Sequence, residues 1–276
     1  MSHAHINGVQ LYYEEHGAGP PLVLIPGFGT GLWIWFKQVP AFAARCRTIS
    51  FDPRGVARSG PADEPLAIRT IADDLAALLG ELGVADAHVL GASFGGFVAQ
   101  EFALAYPERT RSLLLCCTSF GGPGHVPPSV ETLQALASTK GLNTEERVRE
   151  NLLIAFSQRF VTEHPAEIEQ VIRLRAANFV PEQVYLRQLQ AAVAFNTEAR
   201  VSEIGAPTLV LTGEADTIVP PANSHNLAAL IPGARLRVVP GGSHTFFIEQ
   251  AGEFNRAVLE FVEEVESGGT AGRKTT

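Results

Sequence analysis

Short apolar runs ending near glycine or proline alternate with stretches of helical periodicity along most of this chain, and that alternation leaves few folds open to it. The runs are LVLIP at 22–26, RTISF at 47–51, AHVLGA at 87–92, RSLLLCC at 111–117, APTLVLTG at 206–213 and ARLRVVP at 234–240. Each is short and apolar enough to read as a strand buried on both faces. Between them lie segments with helical apolar spacing near 33–44, at 68–83, at 95–106, near 221–231 and at 247–265. Strand, helix, strand in regular succession means βαβ crossovers and a mostly parallel sheet, an α/β fold. The opening HINGVQLYYEEHG carries an Asn-Gly pair between alternating runs, which predicts a hairpin adding antiparallel strands at one edge.

The alternation lapses over 120–200, where no strand stands out and the segment reads as helical throughout. Asn143, three residues before Glu146, resembles a capping box, and Pro165 and Pro181 suit first-turn positions. An insertion at the carboxyl end of a strand lies over the crevice where open α/β sheets bind ligands. The expected division is therefore a core formed by 1–119 and 201–266, a helical cap at 120–200 and a disordered polar tail at 267–276.

The chemistry centres on Gly91-Ala92-Ser93-Phe94-Gly95, a G-x-S-x-G sequence with a strand directly before it and a helix directly after. A nucleophile presented this way sits on a sharp turn, and the flanking glycines keep Cβ atoms clear of it. A serine hydroxyl needs a base, and in such an arrangement an acid and then a histidine follow in the chain. Asp216, beyond the APTLVLTG strand, is the preferred acid, with Glu214 the alternative; His244, in GGSHTFF after the last strand, is the base. Two backbone donors would hold an oxyanion: Phe94 N–H, at the start of the new helix, and Phe28 N–H, in the glycine-rich loop PGFGTG at 26–31. Aromatic residues crowd these loops, and Trp35, Phe120, Val219 and Phe246 are the candidate substrate contacts, beside Trp33 and Phe247. Such a pocket suits a small to medium apolar ester. This chemistry requires no metal and no organic cofactor.

A formal net charge of −8 argues against a nucleic-acid surface. The start lacks the basic and apolar regions of a secretory signal, and no apolar run reaches the length of a membrane span. Three cysteines without metal-ligand spacing point to reduced thiols in the cytoplasm. The expected partner is a small-molecule ester or lactone, with no nucleic acid and no membrane; a homo-oligomer is compatible with the sequence.

The segments IPGFGTG at 25–31, FDPRGVARSG at 51–60, GASFGG at 91–96, TGEADTIVPP at 212–221 and GGSHTFF at 241–247 together resemble the α/β-hydrolase family over about 10–265. The resemblance is to the branch containing small esterases, 3-oxoadipate enol-lactonases and cofactor-free bromoperoxidase-type enzymes. It implies a central sheet of about eight strands flanked by helices, a helical cap, and a carboxylesterase mechanism through an acyl-enzyme. Two positions depart from the pattern: Pro26 stands where a histidine is usual, and Ala57 where a glycine is. Relatives with an aspartate nucleophile, the haloalkane dehalogenases and epoxide hydrolases, are excluded by Ser93. Two other readings stand beside the esterase. One is an enol-lactonase or C–C hydrolase acting on an acidic ring-cleavage product, which would need Arg173, Arg175 or Arg187 to face the serine. The other is a slow-turnover ligand receptor.

Overall fold

The structure, a computed structural model, describes residues 2–61, 65–137 and 144–269. Its sheet contains eight strands: β1 (Ser2–Ile6), β2 (Val9–His16), β3 (Pro21–Ile25), β4 (Arg47–Phe51), β5 (Ala87–Ala92), β6 (Thr110–Cys116), β7 (Thr208–Gly213) and β8 (Arg235–Val239). They lie in the order β1-β2-β4-β3-β5-β6-β7-β8. The hairpin β1–β2 and its seam with β4 are antiparallel, and the remaining pairings are parallel. Asn7 and Gly8 both take positive φ at the hairpin turn, the backbone that an Asn-Gly pair supplies.

The helices of the outer layers are α1 (Val39–Phe42), α2 (Ile68–Glu81), α3 (Phe94–Ala105), α9 (Pro221–Leu230), α10 (Phe246–Glu249) and α11 (Ala251–Gly269). Side chains on the central strands alternate between two apolar layers. Val23, Ile25, Val89, Leu113 and Leu115 join the cluster of α2 and α3, while Leu22, Leu24, Leu90, Leu114 and Leu211 join that of Trp35, Phe42 and α11. Each such leucine, fully buried, contributes about 1.5–3 kcal/mol. Covering both faces is what lets these runs be apolar throughout instead of alternating with polar residues.

Between β6 and β7 come α4 (Val130–Ala137), α5 (Thr144–Ala155), α6 (Gln158–Glu163), α7 (Pro165–Ala177) and α8 (Glu182–Ala194). The expectation of helix from 120 onward is corrected: residues 117–129 form no helix, and Gly121 and Gly122 take positive φ. The sequence GGPGHVPPS explains it, since glycine and proline both oppose helix there. A single antiparallel bridge, Gly121 to Asn196, joins the two ends of the insertion. Pro165 opens α7 as expected, whereas Pro181 precedes α8 as its N-cap. Asn143 lies outside the described residues.

Two more helix boundaries differ from expectation. The segment 33–44 is a 3-10 turn at Leu32–Trp35 followed by one turn of α1, because Pro40 is tolerated only near a helix start. The last helix is divided at Gln250, and α11 continues through Gly269, so 267–269 are helical, contrary to the expected tail. Residues 270–276 lie outside the described residues. No described helix is long and apolar enough to cross a membrane.

The turn 52–59 braces the loop that follows β3. Asp52 is buried; its carboxylate accepts from Leu32 N–H at 2.8 Å and from Arg58 Nε at 3.0 Å. A Cβ at Gly31 would collide with that carboxylate, which accounts for the glycine there. Ala57 has φ +47, a left-handed backbone that disfavours a Cβ. Ala57→Gly is therefore expected to stabilise the fold by about 0.5–1 kcal/mol, the relief of that strain less the extra entropy of an unfolded glycine. Urea unfolding with an unchanged m-value would show it; a lower midpoint would contradict it.

Candidate active site

Ser93, Asp216 and His244 lie just beyond the carboxyl ends of β5, β7 and β8, three strands of the same parallel stretch of sheet. Ser93 has φ +54 and ψ −119, a conformation that a non-glycine residue holds only when its surroundings enforce it. The enforcement is visible. Ser93 N–H donates to Cys116 O at 2.8 Å, and Ser93 O accepts from Gly96 N–H and from Thr118 Oγ1, both at 2.8 Å. A Cβ at Gly91 would meet the Gly95 carbonyl, and one at Gly95 would meet the Ile25 carbonyl. The turn closes only with glycine at both places. Helix α3 starts at Phe94, so its positive end lies against Ser93.

His244 Nδ1 is 2.8 Å from Asp216 Oδ2. An ionised carboxylate only accepts, so Nδ1 carries a proton, and in the neutral ring, the form present above the imidazole pKa, Nε2 is left with its lone pair. The other oxygen, Oδ1, accepts from Ile218 and Val219 N–H at 2.9 Å each, which locks the carboxylate in place. Val219 thus lies at the site as a half-buried residue of the acid's turn. Glu214 is exposed and accepts from Gly241 N–H at 3.0 Å, holding the loop that carries His244. Burial by itself would lower the His244 pKa, but the Asp216 carboxylate more than offsets it and the imidazole rises to about 9.

Cys117 lies beneath this pair. Its sulfur, a carboxylate oxygen of Asp216 and a ring nitrogen of His244 are within 4.8 Å of one another. Burial drives the Cys117 thiol well up, so it stays protonated and serves as a packing group, not as a thiolate ligand.

Phe28 and Phe94 sit together, with ring centroids 6.1 Å apart, so the two expected donors belong to neighbouring residues. A Cβ on Gly27 would be 3.6 Å from Ser93 Cβ, which places this loop against the serine. Gly29 N–H is taken by Gln188 Oε1 at 2.7 Å. With Leu32 held by Asp52 and Gly29 by Gln188, the loop is supported on both sides despite Pro26.

The sequence gives no sign that the insertion grips both halves of the site. Gln188 and Tyr185 of α8 reach the Phe28 loop, Tyr185 packing edge-on to Phe28 at 4.4 Å between centroids. On the other side, Ala155 O accepts from Thr245 N–H and Oγ1, and Glu249 accepts from Ser157 N–H and Ser243 Oγ. Nothing in helical periodicity marks Gln188 or Ala155 for these contacts.

Several aromatic expectations need correction. Trp35 and Phe246 have no exposed surface and pack in the layer with Phe247 and Phe254; they belong to the core. Phe120 and Phe195 are buried in the opposite layer, with Phe195 stacked on Phe97. Phe156 and Phe160 stack on one another inside the insertion, and Phe179, at 63% exposure, faces outward. Large aromatic rings bury wherever packing offers an enclosed space, and sequence does not say which space that is.

A family model described as alpha/beta hydrolase fold matches residues 20–251. The protein named carbamate hydrolase RutD from Azorhizobium caulinodans is 35% identical over 96% of this chain and 100% of its own length. Among solved structures, the enol-lactonase from Burkholderia xenovorans LB400 superposes with a TM-score of 0.84 at 25% identity, covering 95% of this chain and 100% of that one. A meta-cleavage product hydrolase from Pseudomonas fluorescens IP01 gives 0.81 at 26% identity, over 96% and 98% of the two chains.

The raised His244 pKa carries a sign for stability. The pair stabilises the folded chain fully below the free imidazole value near 6.5 and loses that contribution as pH climbs through about 9. Imidazole NMR should place the His244 titration near 9, and Asp216→Asn should bring it down by removing the offsetting charge. An unmoved titration in that variant would show that Asp216 is not its cause.

Proposed function

The chain belongs to the α/β-hydrolase family, and from that premise we propose that it is a serine hydrolase cleaving the carboxylic ester of a small to medium substrate. The observation that carries the reading is the Asp216–His244 hydrogen bond at the carboxyl edge of a sheet whose β5 delivers Ser93 on a left-handed turn. In its neutral form, which grows as pH climbs toward 9, His244 takes the Ser93 proton on Nε2 as Oγ attacks the carbonyl carbon, and Phe94 and Phe28 N–H receive the oxyanion. His244 returns the proton to the leaving alcohol, giving an acyl-enzyme. Water then attacks with His244 again the base, releasing the acid and restoring Ser93. Asp216 holds the imidazole in the required tautomer throughout. Three free, buried cysteines support a reducing compartment, the cytoplasm, as its place of action.

The helices at 130–194 act as a cap in this reading. Their bonds to the Phe28 loop and to Thr245 support a role in setting substrate size and in holding both loops in register. A carbamate is a second reading, favoured by the relative at 35% identity, since its carbonyl offers the same acyl centre.

An organophosphonate should label Ser93, and Ser93→Ala should fold normally while losing both label and turnover. Asp216→Asn should lower kcat by roughly 10⁴, the scale seen in a protease triad, whereas Glu214→Gln keeps its acceptor and should matter little. The reverse order would move the acid to Glu214. Labelling without multiple turnover on any ester, lactone or carbamate would instead favour a receptor. Tyr185→Ala should shift the preferred acyl length on a graded p-nitrophenyl ester series, and an unchanged preference would remove the cap from substrate selection.

A further inference from the structure

The insertion arginines part company in the fold. Arg173 is exposed, and Arg175 turns toward the Phe28 loop, its Nη2 3.2 Å from where a Cβ on Gly29 would lie. Arg187 goes elsewhere: it lines a cleft of about 550 Å³ between the 55–61 turn and the α7–α8 connection. Its neighbours on α8, Tyr185 and Gln188, reach the Phe28 loop, whereas Val184 and Arg187 form a wall of the cleft. Ser93, Asp216, His244, Phe28 and Phe94 are all absent from its lining, so the cleft is a space of its own.

The volume of this cleft lies within the range of small-molecule sites. Its charge has one sign. Arg58 and Arg187 line it and none of the described lining residues is acidic, in a chain whose formal net charge is −8. Its apolar part comes from Pro61, Phe179, Pro181 and Val184. Phe179 is 63% exposed and is the one aromatic among the exposed large hydrophobic residues described. The two arginines differ. Arg58 lies over the Tyr12 ring at 3.8 Å and donates to Asp52 at 3.0 Å and to Glu14 at 3.3 Å, so its charge is compensated and its plane is fixed. Arg187 is half-buried and, among the described residues, has neither an ion pair nor a hydrogen bond. Its charge and its donors are left for something that enters the cleft. A guanidinium pairs with an oxyanion through its fork and stacks on aromatic faces through its plane. The open Phe179 ring in the same cleft adds a second surface for a flat ring.

We propose that this cleft is an accessory binding site for a small aromatic anion, whose anionic group pairs with Arg187 and whose ring lies against Phe179 and the apolar wall. The site is independent of the acyl-transfer reading above, since none of its lining residues takes part in that chemistry.

The probe is 2-naphthoate, compared with uncharged 2-naphthamide and with saturated decahydro-2-naphthoate. Titrated into isotope-labelled protein, 2-naphthoate should bind saturably and shift the NMR signals of the backbone at Gly55, Ala57, Ser59, Asn178 and Phe179. Naphthamide should bind about tenfold or more weakly, the scale of a charge-assisted hydrogen bond. The saturated acid should bind about threefold or more weakly, the scale of an aromatic contact. Arg187→Gln should weaken naphthoate about tenfold or more and leave naphthamide unchanged, and Phe179→Ala should weaken naphthoate about threefold or more. Neither side chain belongs to the core, so both variants should melt with the wild type. Shifts centred on Ser93 and His244, equal affinity for naphthoate and naphthamide, affinity indifferent to Arg187→Gln, or no saturable binding overturns the site. Ester turnover enters none of these measurements, so failure here leaves the hydrolase standing, and an inactive chain that binds naphthoate through Arg187 leaves this site standing.

Discussion

The left-handed backbone at Ser93 is the constraint around which the remaining structure is arranged. An L-residue reaches φ +54 at a cost of about 1–3 kcal/mol, and it stays there only because several neighbours forbid anything else. The carbonyl of Cys116 fixes its N–H, Thr118 and Gly96 fix its carbonyl, and the adjacent strand β3 passes so close that Gly95 can carry no side chain. The strand order follows suit: β5 must sit between β3 and β6 for those groups to be present. Ala57, also left-handed, has no comparable role, and there the strain serves nothing visible in the structure.

Around that turn, the loops are fixed from outside themselves. The Phe28 loop is held by Asp52 from the turn after β4 and by Gln188 from α8, while the His244 loop is held by Glu214, Ala155 and Glu249. One insertion therefore touches both the loop expected to receive an oxyanion and the loop carrying His244. Because Gln188 bonds Gly29 N–H directly at 2.7 Å and both residues are buried, a displacement of α8 would be felt at Gly29. Loops positioned by a rigid frame are where chemistry is commonly placed, and here the frame includes the insertion.

The site also separates two electrostatic tasks. Asp216 compensates a buried imidazole within a single hydrogen bond and raises its pKa. Arg175 has no such partner among the described residues: its Nη1 is buried without a hydrogen bond, and its Nη2 lies near Gly29. The same low-dielectric surroundings that strengthen the first pair make the second group's isolation unfavourable.

The sequence by itself determined the α/β alternation, the antiparallel hairpin and the elbow at Ser93, because these rest on local periodicity and on glycines whose need is local. It also pointed to Asp216 and His244 by their order after Ser93, and the fold brings these two within 2.8 Å of one another. It preferred Asp216 to Glu214, two residues apart in one loop, but kept both open; the fold shows which carboxylate meets the imidazole. Nor could it sort the aromatic residues: Trp35 and Phe246 went to the core, while Tyr185 went to the Phe28 loop. The bond from Gln188 to the Phe28 loop was equally hidden, and Arg175 was only one of three insertion arginines that could face the serine. A helix pattern reports which face is apolar but not what that face, or a polar residue on it, will meet across more than a hundred residues of chain. That is decided by packing, which brings the insertion down onto the carboxyl edge of the sheet.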